Sequence, residues 1–236
     1  MTLVVNDKNI YSIYHGDDRI YKVYNGDDLV WQTYKTNQTV FESGFGSSGS
    51  INLLTKGYYD IIVIGAGGGG CGNGAKGSSY SACSGAAGGS FVGRIYVEKG
   101  TINYTIGTGG SKTGGGDYQG SRAGTGGTTE LKFGNTPIVT CTGGTGGLAY
   151  FRGKYSTGTG GTVTQGNYIT GVTSSQQGSN GTGGQSSGTY FYCEQPIEGI
   201  EYGAGGYGMG KSSGYTWDAS NGQNGYIKIV FVSEFK

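Results

Sequence analysis

Short runs of apolar residues, many with alternating polar partners and most bounded by glycine or turn residues, recur along the chain and predict β-strands. They lie at 39–41, 50–54, 59–64, 91–97, 101–106, 128–133, 138–142 and 226–232. In the last of them Ile227, Ile229 and Phe231 fall on one face and Lys228 on the other, the period-two signature of a half-buried strand. Lys99-Gly100 joins two runs as a tight turn. No stretch has the spacing of an amphipathic helix. The pattern predicts an all-β chain folded as a jelly-roll-like antiparallel sandwich. Because the closing strand has to pair with early ones, the segments between are excursions from one sheet framework.

The first 36 residues differ in texture, being dense in aromatics and charges. Ile13-Tyr14-His15-Gly16-Asp17-Asp18-Arg19-Ile20 recurs as Val23-Tyr24-Asn25-Gly26-Asp27-Asp28-Leu29-Val30. His-Gly and Asn-Gly followed by Asp-Asp are turn chemistry. The flanking segments 10–14, 19–24 and 29–34 are rich in β-branched and aromatic residues, which predicts a small three-stranded β-meander. So short a sheet is marginal alone and needs a covering surface. The expected domains are therefore a module at 1–36 and a larger unit at 37–236, whose distal tracts occupy 143–225.

Composition changes how the excursions are read. Glycine accounts for 54 of 236 residues, about three times the ordinary share of about 7%. With 2 prolines the chain is no collagen. Glycine concentrates at 65–77, 107–127, 143–188 and 203–214. Structureless loops of that length do not suit a compact domain. Two readings stand. In one, glycine-rich polyproline II strands, which have three residues per turn and no internal hydrogen bonds, pack side by side and pair laterally. In the other, the tracts are flexible low-complexity segments.

Charge narrows the partners. Lys+Arg is 16 and Asp+Glu is 15, for a net charge of +1, so nothing favours a nucleic-acid backbone. The N-terminus lacks the basic and long apolar regions of a secretory signal, and no run reaches the apolar length of a membrane span. Cys71, Cys83, Cys141 and Cys193 form no C-x-x-C pair, and His15 stands alone, which argues against a zinc site and for free thiols in a reducing compartment. No cofactor is expected. The segment 59–70 runs from an apolar strand into G-x-G-x-x-G at Gly65, Gly67 and Gly70. A dinucleotide site also needs a helix and an acidic residue about 20 positions on. Glycine continues where the helix belongs, and no Asp or Glu lies between Asp60 and Glu98. Gly210-Lys211-Ser212 lacks the context of a P-loop.

The strand at 59–64 entering Gly65-Ala-Gly-Gly-Gly-Gly70, the strand 91–97, Lys99-Gly100, Tyr104-Thr-Ile-Gly107-Thr-Gly-Gly110 and the ending Asn221-Gly-Gln-Asn-Gly225-Tyr-Ile-Lys-Ile together resemble the glycine-rich domain of bacteriophage tail-fibre and receptor-binding proteins. Ile20-Tyr-Lys-Val-Tyr-Asn-Gly-Asp-Asp-Leu-Val-Trp31 resembles a short module at the start of phage structural proteins. The resemblance implies a virion protein assembled in the host cytoplasm, anchored to other tail or fibre proteins through Tyr14, Tyr24 and Trp31. It implies a distal surface meeting a host polysaccharide or outer-surface protein. Presentation as a homotrimer would raise avidity. A purely structural role, as a head fibre or baseplate accessory, is the alternative.

On such a surface the aromatics are the candidate contacts: Tyr150, Phe151, Tyr155, Tyr190, Tyr192, Tyr202, Tyr207, Tyr215 and Trp217. Tyrosine among Ser, Gly and Asn gives large contact area at low entropic cost, and an aromatic face suits a sugar ring. The same rings would equally serve to cover a glycine lattice as a substitute core. Glu194, Glu198 and Glu201 are the one carboxylate cluster that hydrolysis would use, but no scaffold fixes their separation. The expectation is a protein without catalysis.

Overall fold

A computed structural model describes residues 13–15, 18–25, 27–73, 81–115, 121–149, 155–184, 189–210 and 217–234. The described residues are all β, without a helix. Two five-stranded antiparallel sheets pack face to face as a sandwich. The first runs in the order Ile169–Gln176, Ser90–Val97, Gly57–Ile64, Tyr226–Ser233, Thr39–Ser43. The second runs Val163–Gln165, Thr136–Cys141, Thr129–Phe133, Gly100–Thr105, Ser48–Leu53. The closing strand does pair with early ones, lying between Gly57–Ile64 and Thr39–Ser43.

Alternation decides what faces inward. Tyr59, Ile61 and Val63 point into the core with Phe91, Ile95, Ile227, Ile229 and Phe231, and meet Leu53, Ile102, Leu131 and Val139 from the second sheet. Full burial of each such side chain contributes about 1.5–3 kcal/mol. Lys228 faces out and pairs with Glu42 at 3.1 Å. The edge strands Val163–Gln165 and Ile169–Gln176, which the apolar pattern does not single out, bury little: Val172 is 50% exposed.

Beyond one end of the sandwich the chain continues in extended runs held by bonds to neighbouring runs. In 65–70 the amides of Gly65 and Gly68 donate to Gly89 and Ala86, those of Ala66 and Gly69 to Gly127 and Gly124, and those of Gly67 and Gly70 to Gln223 and Ser220, at 2.8–3.1 Å. The carbonyls of Ala66 and Gly69 accept from Gly144 and Gly147, those of Gly67 and Gly70 from Gly110 and Thr113, and that of Gly68 from Gly206. Run 65–70 is thus ringed by 84–89, 107–112, 123–128, 142–147, 203–207 and 220–225. Run 84–89 repeats the scheme: Ser84 and Ala87 donate to Thr182 and Ser179, Gly85 and Gly88 to Gly206 and Gly203, Ala86 and Gly89 to Thr145 and Thr142. A period of three is that of polyproline II, whose backbone groups radiate and leave none for the strand itself. Of the two readings of the tracts, the ordered lattice is the one that forms among the described residues; 74–77, 116–120, 150–154, 185–188 and 211–214 of the tracts lie outside them.

Close approach explains the glycine. A Cβ on Gly67 would stand 1.8 Å from the Ala204 carbonyl oxygen, and one on Gly160 would stand 1.6 Å from that of Gly178. Asparagine side chains also serve in place of carbonyls: Asn224 Oδ1 and Asn221 Oδ1 accept from the amides of Gly109 and Lys112, again three residues apart.

The N-terminal residues correct one expectation. In place of a three-stranded meander, Ile13–His15 pairs with Asp18–Ile20, and Lys22–Asn25 pairs with Asp28–Gln32, as two separate hairpins. The segment 18–25 is divided between the two pairs at Tyr21, whose carbonyl accepts from Thr33. The hairpins join the sandwich at the end away from the lattice. Arg19 Nη2 meets Glu234 Oε1 at 2.6 Å, and the Thr33 hydroxyl donates to the same oxygen at 2.7 Å. Tyr34 belongs to the core itself, with its ring against Phe231 and Tyr59 and its hydroxyl accepting from Leu54 N at 3.2 Å.

Candidate functional site

Each lattice run ends, far from the sandwich core, in a short strand. Cys71–Asn73 and Ser81–Cys83 pair, flanked by Thr113–Gly115 and Gly183–Gly184. Ser121–Arg122, Leu148–Ala149 and Tyr155–Ser156 form a second group, and Tyr190–Phe191, Gly208–Gly210 and Trp217–Ala219 a third. These groups pack on one another. The segments 74–80, 116–120, 150–154, 185–188 and 211–216, which adjoin them in sequence, lie outside the described residues. Among the described residues, the outward runs therefore reach the same distal end, opposite the N-terminal hairpins.

A tyrosine cluster forms there. Tyr190 pairs with Met209 and Phe191 with Gly208, which brings Tyr190 beside Tyr207, the residue before that strand. The Tyr190 and Tyr192 rings stack with centroids 5.9 Å apart and planes 25° apart; Tyr207 stands edge-on to Tyr190 at 5.3 Å and lies 5.9 Å from Tyr192. Tyr192 is 61% exposed and Tyr190 40%. The Tyr192 carbonyl is fixed by the Thr182 hydroxyl, which donates at 2.7 Å. Glycine supplies flat seats for neighbouring rings. A Cβ on Gly184 would meet the Phe191 ring at 2.7 Å, and one on Gly183 the Tyr155 ring at 2.8 Å. Tyr155 is exposed.

The remaining candidates divide. Tyr202 is not with the cluster. It stacks on Tyr226 at 4.8 Å and 13°, over Gly44, where sandwich and lattice meet. There Tyr226 donates its hydroxyl to Glu42 Oε1 at 2.6 Å. That bond, followed by those to Lys228, holds the Glu42 carboxyl below its usual range. Trp217 lies in a distal strand with its backbone opposite Gly210, its side chain outside the description. Tyr150, Phe151 and Tyr215 lie outside the described residues. In the N-terminal hairpins Tyr24 is exposed, Trp31 is opposite Val23 and Tyr14 opposite Arg19; the side chains of Tyr14 and Trp31 are likewise not described. The sequence reading missed Arg19, Thr33 and Glu234 as the residues that seat the module, since ion pairs distant in sequence leave no local signal.

Other chemistry can be located. Glu194, Glu198 and Glu201 are exposed along 192–202, which carries a turn from Ile197 to Ile200. Among the described residues no group of His, Cys, Asp and Glu is placed to hold a metal ion. Gly65, Gly67 and Gly70 are buried and their amides are already bonded within the lattice, so this G-x-G-x-x-G offers no donors to a pyrophosphate. Burial pushes the Cys141 thiol up to about 12.

No curated protein matches the chain. A sequence model described as a glycine-rich domain matches residues 45–232, which takes in most of the sandwich and the whole lattice and leaves out the N-terminal hairpins.

Proposed function

The chain belongs to this glycine-rich domain family, and we propose that it is a phage tail-fibre or tail-tip protein that binds a host cell-surface glycan without catalysing a reaction. The observation that carries the reading is polarity along the molecule: a hairpin module seated on one end of a sandwich, and all lattice excursions ending together at the other. The first end suits attachment to other virion proteins. The second presents exposed tyrosines on a hydrogen-bonded backbone, where the face of a ring can cover the apolar face of a sugar while neighbouring Ser, Thr and Asn groups meet its hydroxyls. A single shallow site of this kind binds weakly. Assembly as a homotrimer raises avidity by factors of about 10² to 10⁴.

The test is competition. Purified full-length protein is added to host bacteria before phage challenge, with envelope polysaccharide extracted from the same bacteria as the soluble competitor. Adsorption falls in proportion to bound protein, and the polysaccharide restores it. The double variant Tyr190→Ala/Tyr192→Ala, at two exposed side chains, keeps its melting temperature and loses the block. Wild-type protein that neither binds the cells nor blocks adsorption removes this reading in favour of a structural or decorating component, such as a head fibre or baseplate accessory.

A further inference from the structure

Cys71 follows the outgoing run 65–70, and Cys83 precedes the returning run 84–89. The two stand directly opposite each other in the antiparallel pair of Cys71–Asn73 with Ser81–Cys83. Facing residues of such a pair have Cα atoms about 4.5 or 5.5 Å apart, inside the span of about 4.4–6.8 Å that a disulfide bridges. Their side chains leave the pair on the same side, and the sulfurs meet at 2.6 Å. Both residues are wholly buried, and Ala123 packs against them. The other two thiols are directed elsewhere. Cys141 Sγ lies 3.3 Å from the Val63 carbonyl in the sandwich, and Cys193 Sγ lies 3.4 Å from that of Ser179. All four are free thiols in this structure.

We infer that Cys71 and Cys83 are a disulfide-forming pair that locks the first distal hairpin once the protein leaves a reducing compartment. The inference does not depend on the binding reading; it rests on strand register and burial alone. The oxidant required is a low-molecular-weight disulfide. While the two strands are apart, during folding or local opening, the Cys83 sulfur, having given up its proton, attacks one sulfur of that reagent and releases one small thiol, leaving a mixed disulfide. The Cys71 sulfur, losing its proton in turn, attacks the Cys83 sulfur and releases the second small thiol. One S–S bond forms in the protein as one breaks in the reagent; two cysteine thiols are oxidised and the reagent is reduced to two thiols. In the paired strands the hydrogen bond from Cys71, opposed by burial, holds Cys83 below the ordinary thiol value. The bond ties together runs already joined by the amide bonds Gly65 to Gly89 and Gly68 to Ala86, so it adds a covalent clamp where the lattice is already in register.

The full-length protein is incubated with oxidised glutathione, both folded and during refolding, then quenched with acid, denatured and alkylated without reductant. Lys76 lies between the two cysteines, so trypsin separates them onto different peptides, 57–76 and 77–94. The expected result is loss of two of the four alkylation adducts, a mass lower by two hydrogen atoms, and a linked species of these two peptides that Cys83→Ser abolishes. Alkylation of all four cysteines under both conditions overturns the inference. So does a linkage that involves Cys141 or Cys193, or one that persists in Cys83→Ser.

Discussion

Replacing Gly67 with alanine tests the lattice at its centre. The new Cβ would lie 1.8 Å from the Ala204 oxygen, 2.3 Å from its carbonyl carbon and 2.8 Å from Gly205 N, all backbone atoms that no rotamer change can move. To reach the 3.4 Å at which ordinary contact begins, run 203–207 has to withdraw by about 1.6 Å. The bond from Gly206 N to Gly68 O, now 2.8 Å, then exceeds the limit of a hydrogen bond, about 3.5 Å. A buried donor and acceptor each left unpaired cost about 1–3 kcal/mol. The expected destabilisation is therefore at least about 2 kcal/mol, a large part of the roughly 5–15 kcal/mol that holds a domain folded. Gly171→Ala is the control: its Cβ would meet only Arg94 Cβ at 3.9 Å, and the edge strand gains from reduced unfolded-state entropy, by about 0.4–1 kcal/mol. Urea unfolding of both variants, followed by intrinsic fluorescence, measures the difference. A Gly67→Ala midpoint no lower than that of Gly171→Ala would refute the reasoning.

Glu42 supplies a pH dependence. Its folded carboxyl is held low by the Tyr226 hydroxyl and then by Lys228, so its contribution is present above the unfolded carboxylate value and is lost as pH falls through the lower folded one. The melting temperatures of wild type and Glu42→Gln should differ at pH 6, and the difference should shrink as pH falls below the unfolded carboxylate value of about 4.3; a constant difference across that range would exclude the mechanism. Arg19→Ala leaves the buried Glu234 carboxylate with the Thr33 hydroxyl alone. Removing one partner of a buried pair costs about 3–5 kcal/mol, and because the Arg19 side chain is 20% exposed the low end applies, about 3 kcal/mol. Faster tryptic cleavage at Lys22 or Lys35 would register the loosened hairpins, and an unchanged rate would count against the ion pair as their seat.

Legibility in the sequence followed side-chain content. The strands at 59–64, 91–97 and 226–232 were legible because Tyr59, Ile61, Phe91, Ile227 and Phe231 have an inside to fill, and the observed strands extend them by one or two residues. Ile169–Gln176 was not legible: an edge strand with Val172 half exposed and Ser174, Ser175 and Gln176 beyond it has no alternation to display. The lattice was legible as a material but not as a map. Glycine marks where backbones touch, yet it carries no record of which backbone, so nothing at Gly67 foretells Gln223 or Ala204. The same limit governs the site. Tyr190 and Tyr207 meet because Tyr190–Phe191 pairs with Gly208–Gly210, a register that the tracts between them conceal. Tyr202 sits five residues from Tyr207 in sequence but stacks on Tyr226 at the sandwich junction.

The two materials of the molecule depend on each other unequally. Ordering a glycine costs backbone entropy of about 1–2 kcal/mol per residue or more, whereas a net hydrogen bond returns about 0.5–1.5 kcal/mol. A bundle of polyproline II runs with almost no side chains is therefore not stable alone. The sandwich changes the balance by fixing where the runs begin. Run 65–70 continues Gly57–Ile64, run 84–89 leads into Ser90–Val97, and run 220–225 leads into Tyr226–Ser233, three adjacent strands of one sheet. Their spacing and phase are set by the register of that sheet and the packing of Tyr59, Phe91 and Phe231. Each run is then held at its far end by a short distal strand, as Cys71–Asn73 holds 65–70. Such an arrangement confines the sequence requirement to the core and to the glycine contacts. It leaves the residues at the distal end free to vary in chemistry without loss of the frame that presents them.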